Sequence, residues 1–218
     1  MGSEMCIRDS GDQDDNSAFG SGAAYVFVRS GSSWFQQAYL KASNSDSSDT
    51  FGNSLSISGD TIVVGAPDED GDGSDQADNE ARSVGAAYVF IRNGTTWSQQ
   101  AYLKASNADG FDEFGNTVAI SGDTIAISAF LERSDADVIN GNQFDESVTN
   151  AGAVYVFVRS ASIWSQQAYL KASNSGFRDE FGSSIAISED TIVVGAEGER
   201  SDANEINGDQ TDLSLIHI

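Results

Sequence analysis

Apolar and polar residues alternate along this chain in short runs of period two, and nowhere do they follow the 3.6-residue period of a helix. In "FGNSLSIS" (51–58), Leu55 and Ile57 alternate with serines, the pattern of a half-buried strand. A tight Gly-Asp turn follows, and then "TIVVGA" (61–66), a continuous β-branched run of the kind covered on both faces. "GAAYVFVR" (22–29) is similar, with Tyr25, Val26, Phe27 and Val28 in series. In "WFQQAYLKASN" (34–44), Gln37, Tyr39 and Lys41 alternate with Ala38, Leu40 and Ala42. A lysine on one face suits an outer edge strand that must not pair with neighbours, so this strand is expected at the rim.

Each of these segments recurs. Tryptophans fall at Trp34, Trp97 and Trp164, and Phe-Gly pairs at Phe51-Gly52, Phe114-Gly115 and Phe181-Gly182. "GAAYVF" begins at Gly22 and Gly85, and "GAVYVF" at Gly152, so every landmark is offset by 63 and then 67 residues. An internal repeat dictates the fold, and four short strands per unit, repeated head to tail, indicate an all-β protein built as a β-propeller. A β-solenoid and tandem sandwiches are the alternatives. Residues 11–212 hold strands three and four of one unit, two full units, and strands one and two of another. That makes about three four-stranded antiparallel blades, an open arc, against roughly 4–8 blades in closed propellers. The tryptophans are expected to pack between blades.

"MCIRDS" (5–10) and "LSLIHI" (213–218) share nothing with the repeat. Both resemble translated sequencing-adapter read-through. Residues 1–10 and 213–218 are therefore expected to be foreign, and Cys6 and His217, the single cysteine and histidine, to carry no chemistry.

Composition narrows the partners. The net charge of −23 disfavours nucleic acid and anionic membrane, and no apolar run is long enough to insert in a bilayer. Cations, basic surfaces and neutral ligands such as sugars remain. One cysteine excludes an internal disulfide framework, and one histidine excludes a site built on several histidines.

The order Phe-Gly, then "GAP" (65–67), then "GAAYVF" resembles the FG-GAP repeat of integrin-α-type β-propellers. It is closer still to bacterial FG-GAP proteins whose units read SGDTIVVGAP, GAAYVF and W.QQAYLKAS. The resemblance covers roughly residues 11–212. It implies a propeller with Phe-Gly on the innermost strand, a secreted or cell-surface setting, and adhesion or ligand binding rather than catalysis. Integrin-type repeats often carry a calcium loop, D-x-D-x-D-G, between FG and GAP. Here that interval is "NSLSISGDT", "NTVAISGDT" or "SSIAISEDT", too poor in oxygens for calcium's six to eight ligands. "GAP" itself decays to "SAF" (128–130) and "GAE" (195–197).

The acids concentrate elsewhere. The segments between strands two and three hold 21 of the chain's 34 acidic residues, seven of them at 65–85. In a propeller these segments and the strand 4–1 loops open on one face, so an acidic face built from variable loops is expected. Asp78, Asp109, Asp112, Asp135, Asp137, Asp202 and Asp209 are its candidate binding residues. The sharpest metal candidate is "DEDGDGSD" (68–75), where Asp68, Asp70 and Asp72 hold the first, third and fifth places of a calcium loop. Gln76 stands at the ninth place, no glutamate stands at the twelfth, and Asp75 is the available substitute. Calcium is the one cofactor these residues suggest; a solvated acidic loop is the plainer reading.

Paired carboxylates can hydrolyse glycosides, but acids on polar loops should stay solvated and undifferentiated. "RSGSSW" (29–34) and "RNGTTW" (92–97) resemble the Asp-box turn of sialidases, with Arg29 and Arg92 where that motif has aspartate. The loop aromatics are Phe111, Phe130, Phe144 and Phe177, with no Trp or Tyr, which weakens a sugar ligand. The expected function is a non-catalytic extracellular binding or adhesion module for a protein or glycan. The alternatives are a structural spacer in a larger surface protein and, remotely, part of a propeller glycosidase. The open blade faces are expected to favour self-association.

Overall fold

The computed structural model describes residues 17–71, 73, 76, 78–203 and 205–208. Twelve strands follow in order: β1 (Ala24–Ser30), β2 (Ser33–Leu40), β3 (Ser54–Ser58), β4 (Thr61–Ala66), β5 (Ala86–Asn93), β6 (Thr96–Leu103), β7 (Val118–Ser121), β8 (Thr124–Ala129), β9 (Ala153–Ser160), β10 (Ile163–Leu170), β11 (Phe181–Ser188) and β12 (Thr191–Ala196). They form antiparallel sheets β1-β2, β3-β4-β5-β6, β7-β8-β9-β10 and β11-β12. Two whole propeller blades thus stand between two half-blades, in an unclosed arc. Among the described residues there is no helix, hence none long and apolar enough to cross a membrane.

The core lies between sheets. On β5, Ala86, Tyr88 and Phe90 join a buried cluster with Val26, Leu40 and Phe51, while Ala87 and Val89 join a second cluster with Ile125, Ile127 and Tyr155. Both faces of the strand are covered, which is why its sequence reads as an apolar run rather than an alternation. First strands of successive blades lie side by side. Ile120 N donates to Ser56 Oγ at 3.1 Å, Gly122 N to Ser58 Oγ at 3.0 Å, and Glu189 N to Ser121 Oγ at 3.1 Å. Phe51 and Phe114 sit just ahead of β3 and β7 and pack edge-on against Tyr88 and Tyr155, with ring centroids 5.3 and 5.4 Å apart. Gly85 must be glycine: its φ is +82°, and a Cβ there would come 2.0 Å from the Phe114 carbonyl oxygen.

The outer seam explains the repeated WxQQAYLKASN motif. In the three β-hairpins that carry the motif, β1-β2, β5-β6 and β9-β10, the pairing register slips at the second glutamine. Val26 faces Ala38 and Phe27 faces Gln36, so Gln37 is left over; Gln100 and Gln167 are left over likewise. The bulge re-aims that side chain toward the next blade. Trp97 Nε1 donates to Gln37 Oε1 at 3.0 Å, and Trp164 Nε1 to Gln100 Oε1 at 2.9 Å. The first glutamine faces the preceding blade: Gln99 Oε1 accepts from Ser43 N, and Gln166 Oε1 from Ser106 N, each at 3.1 Å. Trp97 and Trp164 are buried between blades, each with an arginine across the hairpin over its ring. Trp34, with no blade before it among the described residues, is 66% exposed.

One expectation fails here. The lysine of the motif does not guard an edge. β2, β6 and β10 stop one residue before it, and Lys104 and Lys171 turn inward to buried carboxylates. The bulge breaks the simple alternation that had placed Lys41 on an outward face with Gln37.

Truncating Trp164 to alanine should lower stability by about 3–5 kcal/mol. Gln100→Leu, which strands the buried indole N–H, should cost about 1–3 kcal/mol. Ile163→Ala, at a neighbouring exposed position, should stay within about 0.5 kcal/mol. Urea midpoints of the three variants would check the order.

Candidate functional site: a loop face over a buried carboxylate network

The two ends of each blade differ sharply. At one end the strands join through two-residue turns such as Gly59-Asp60, Gly94-Thr95 and Gly122-Asp123. At the other, β4 reaches β5 only through residues 67–85, and β8 reaches β9 through 130–152. The strand 4–1 linkers lie against these long loops. Phe111 N donates to Arg82 O (2.9 Å), Glu113 N to Ser83 O (3.1 Å) and Arg178 N to Thr149 O (2.9 Å). Thr50 Oγ1 donates to Asp68 Oδ2 (2.8 Å), and Asn79 Nδ2 to Asp46 Oδ2 (3.0 Å). The two loop classes form one stitched surface.

Beneath it each blade holds an ion pair. Glu132 and Lys171, both fully buried, meet at 3.0 Å, and Tyr169 Oη donates to the other Glu132 oxygen at 2.8 Å. Lys171 also donates to Ser134 O at 2.9 Å. One blade earlier Glu69 accepts from Lys104 (2.5 Å), Tyr102 Oη (2.8 Å) and Asn44 Nδ2 (3.0 Å), the last from the linker entering the blade. Asn44 Oδ1 in turn accepts from Tyr88 Oη (2.8 Å), as Asn107 Oδ1 does from Tyr155 Oη (2.7 Å). Burial pushes Glu69 up against the opposing pull of Lys104, and it pushes Lys171 down against the pull of Glu132. These groups hold the strand ends under the loops in fixed register.

A second set of acids is buried in the linkers. Asp49, Asp112 and Asp179 occupy one repeat position and are 4%, 1% and 6% exposed. Each is flanked by residues in the left-handed region: Ser48 and Thr50, Phe111 and Glu113, Arg178 and Glu180. Asp49 Oδ2 accepts from Asp46 N at 2.7 Å. Neither carboxylate oxygen of Asp112 has a hydrogen-bond partner, and Arg133 Nε stands 3.9 Å away. Burial, then the charges of Glu132 and Glu146, push the Asp112 carboxyl up to about 8. Asp70 takes the repeat position that Arg133 and Arg200 hold in the other units, and its Oδ1 accepts from Ser83 N at 2.8 Å.

The expected site residues therefore separate. Asp135, Asp137 and Asp202 are exposed on the loops, and so is Asp109, which pairs with Arg133 at 3.1 Å. Asp78 is half-buried and accepts from Glu80 N at 3.0 Å. Asp112 is the exception: it lies beneath the surface, correcting its place on a binding face and the expectation that loop acids stay solvated. Asp68 and Asp70 each accept a hydrogen bond from a loop residue, while Asp72, Asp75 and Asp209 lie outside the described residues, as do Cys6 and His217. Among the described residues no group of three or more Asp, Glu, His or Cys converges to hold a metal ion. The turn that carries calcium in integrin-type repeats does not fit it here, because Asp60 is paired with Arg92 and Asp123 with Arg159.

Sequence reasoning missed Glu69, Glu132, Lys104 and Lys171 as a unit. The signal was present: Glu69, Glu132 and Glu199 share the same 63- and 67-residue offsets as Lys41, Lys104 and Lys171. Charges conserved in phase across a repeat, when most loop residues vary, mark a buried pair.

Blades of four antiparallel strands, joined through a Phe-Gly contact on the inside and a tryptophan seam outside, define an all-β propeller-type repeat protein. The FG-GAP repeat family model matches residues 34–90, 97–157 and 164–210, and the chain belongs to that family. No curated protein matches it. FG-GAP repeats are generally non-catalytic and are consistent with an extracellular repeat module.

Two outcomes follow from the buried charges. Lys171→Met should cost about 3–5 kcal/mol by stranding Glu132, and Glu132→Leu combined with Lys171→Met should recover most of it in chemical denaturation. Asp112 holds its proton more tightly folded than unfolded, so its contribution is full below about pH 4 and is lost as pH rises toward about 8. Asp112→Asn should leave the melting temperature unchanged at pH 4 and raise it at pH 8, where the gain in stability is on the order of 2 kcal/mol.

Proposed function

We propose that this protein is a non-catalytic, secreted or cell-surface binding module whose ligand face is the surface formed by the strand 2–3 and strand 4–1 loops. The observation that carries the reading is the asymmetry of the blades. Loops beyond about 12–15 residues are uncommon in compact domains and usually functional, and residues 67–85 and 130–152 exceed that length while the opposite turns have two residues. Those loops rest on a rigid charged network, the arrangement by which variable loops are presented to partners. Exposed Asp109, Asp135, Asp137 and Asp202 favour a basic protein surface or a ligand bridged by a cation. A spacer role is the second reading, favoured by the engagement of Asp68 and Asp70 in the loop's own hydrogen bonds.

Calcium separates the two. A thermal melt of the chain should show a higher midpoint with millimolar calcium than with chelator, the added stability being about 2.7 kcal/mol at a hundredfold excess over the dissociation constant. Asp70→Asn with Asp72→Asn should abolish the rise. An unchanged melt in a folded sample would leave the spacer reading in front.

A further inference from the structure

The blade β3-β4-β5-β6 buries a set of groups that ligand binding on the loop face does not use. The side chains of Glu69 and Lys104 are 1% and 8% exposed. The Glu69 carboxylate is shared between two nitrogens. One oxygen accepts from Lys104 Nζ at 2.5 Å, and the other from Asn44 Nδ2 at 3.0 Å and Tyr102 Oη at 2.8 Å. The Asn44 amide is held at its other end too, because Tyr88 Oη donates to Asn44 Oδ1 at 2.8 Å. Asn44 Nδ2 has a second acceptor in Gln76 O, at 2.8 Å. A primary amine and a primary amide thus share one buried carboxylate, and a phenol polarises the amide oxygen. These are the parts of an amide exchange: a nucleophile, a proton carrier, and an electrophile whose oxygen already has a donor.

We propose that Lys104 and Asn44 join in an intramolecular isopeptide bond, with Glu69 carrying the protons. Glu69 takes one proton from the Lys104 ammonium, which leaves Nζ a neutral nucleophile. Nζ then moves off the carboxylate and reaches Asn44 Cγ, the reacting atoms coming to about 3–3.5 Å. The flexible lysine stem supplies that movement with the strands in place. The carbonyl electron pair shifts onto Oδ1, where Tyr88 Oη holds it. A second proton passes from Nζ over Glu69 to Nδ2, the Cγ–Nδ2 bond breaks, and ammonia leaves. Of the three ammonium protons one ends on ammonia, one on Glu69 and one on the new amide nitrogen. Glu69 keeps its proton because burial pushes its carboxyl up. The buried ion pair is gone, and with it the desolvation cost of two charges. Asn44 is only half-buried, so ammonia has a way out. The bond closes a ring over residues 44–104, which contain β3, β4, β5 and β6, one whole blade. The next blade is not set for the same step. There Asn107 Nδ2 donates to Gln143 O at 2.5 Å, while Glu132 is held by Lys171 and Tyr169.

Mass spectrometry of the folded chain tests it. The intact mass should fall about 17 Da below that of the sequence, one ammonia and not two. Trypsin should fail to cut after the acylated Lys104 and should release a branched peptide joining residues 42–82 to 93–133. Lys104→Arg, which keeps the charge but offers no amine, and Glu69→Gln, which keeps the shape but carries no proton, should each show the full mass of their own sequence. The branched peptide from the unaltered chain decides the matter even where a variant fails to fold. A full-mass chain would overturn the proposal. So would the same mass loss without a branched peptide, since Asn93-Gly94 and Asn140-Gly141 can lose ammonia by closing to succinimides. A loss of about 18 Da with the branch at Glu69, which is water leaving the ion pair itself, would also overturn it. So would a bond that survives Glu69→Gln.

Discussion

A four-stranded blade here is apolar on both faces and can cover neither by itself. On β5 the residues of one parity face one neighbour and those of the other parity face the next, so a strand is stable only inside a stack. Burial at about 25 cal/mol per Å² rewards that stacking, but it is indifferent to register and angle. What fixes them is the small polar set at the seam: the bulged glutamine, the indole N–H and the serine amide. Unmet, each would cost far more than it contributes when paired, so the seam acts mainly by penalising every other alignment.

The same logic runs inside the blade. A buried glutamate and lysine in water's absence contribute little net stability over a well-packed apolar pair. Their value is positional, because the second and fourth strands must end level with one another for Glu132 and Lys171 to meet, with Tyr169 closing the remaining valence. The long loops begin where that constraint ends. A surface free to vary in sequence therefore stands on one that is not.

Most of the fold was legible because period two and the 63- and 67-residue offsets are properties of the sequence alone. The strands, their grouping by four and the burial of Trp97 and Trp164 followed directly. Two things did not. The bulge at Gln37 shifts parity by one residue, and no composition signal marks it, so Lys41 was assigned the wrong face. The acids were read by density, which cannot distinguish exposed Asp135 from Asp112 two dozen residues earlier, held beneath the loops by its left-handed neighbours. Density reports how many charges a segment carries, whereas phase within the repeat reports where each one goes.

The bulged glutamine has a final consequence. Because Gln37 makes with Trp97 the contact that Gln100 makes with Trp164, a seam carries no information about which blade it is joining. Blade order is held only by chain connectivity and by loops of unequal length. The array is thus degenerate in the way a set of identical couplings is: units may be permuted, added or exchanged between chains without any interface registering the difference, and a lineage could lengthen or shorten the arc while leaving every seam intact.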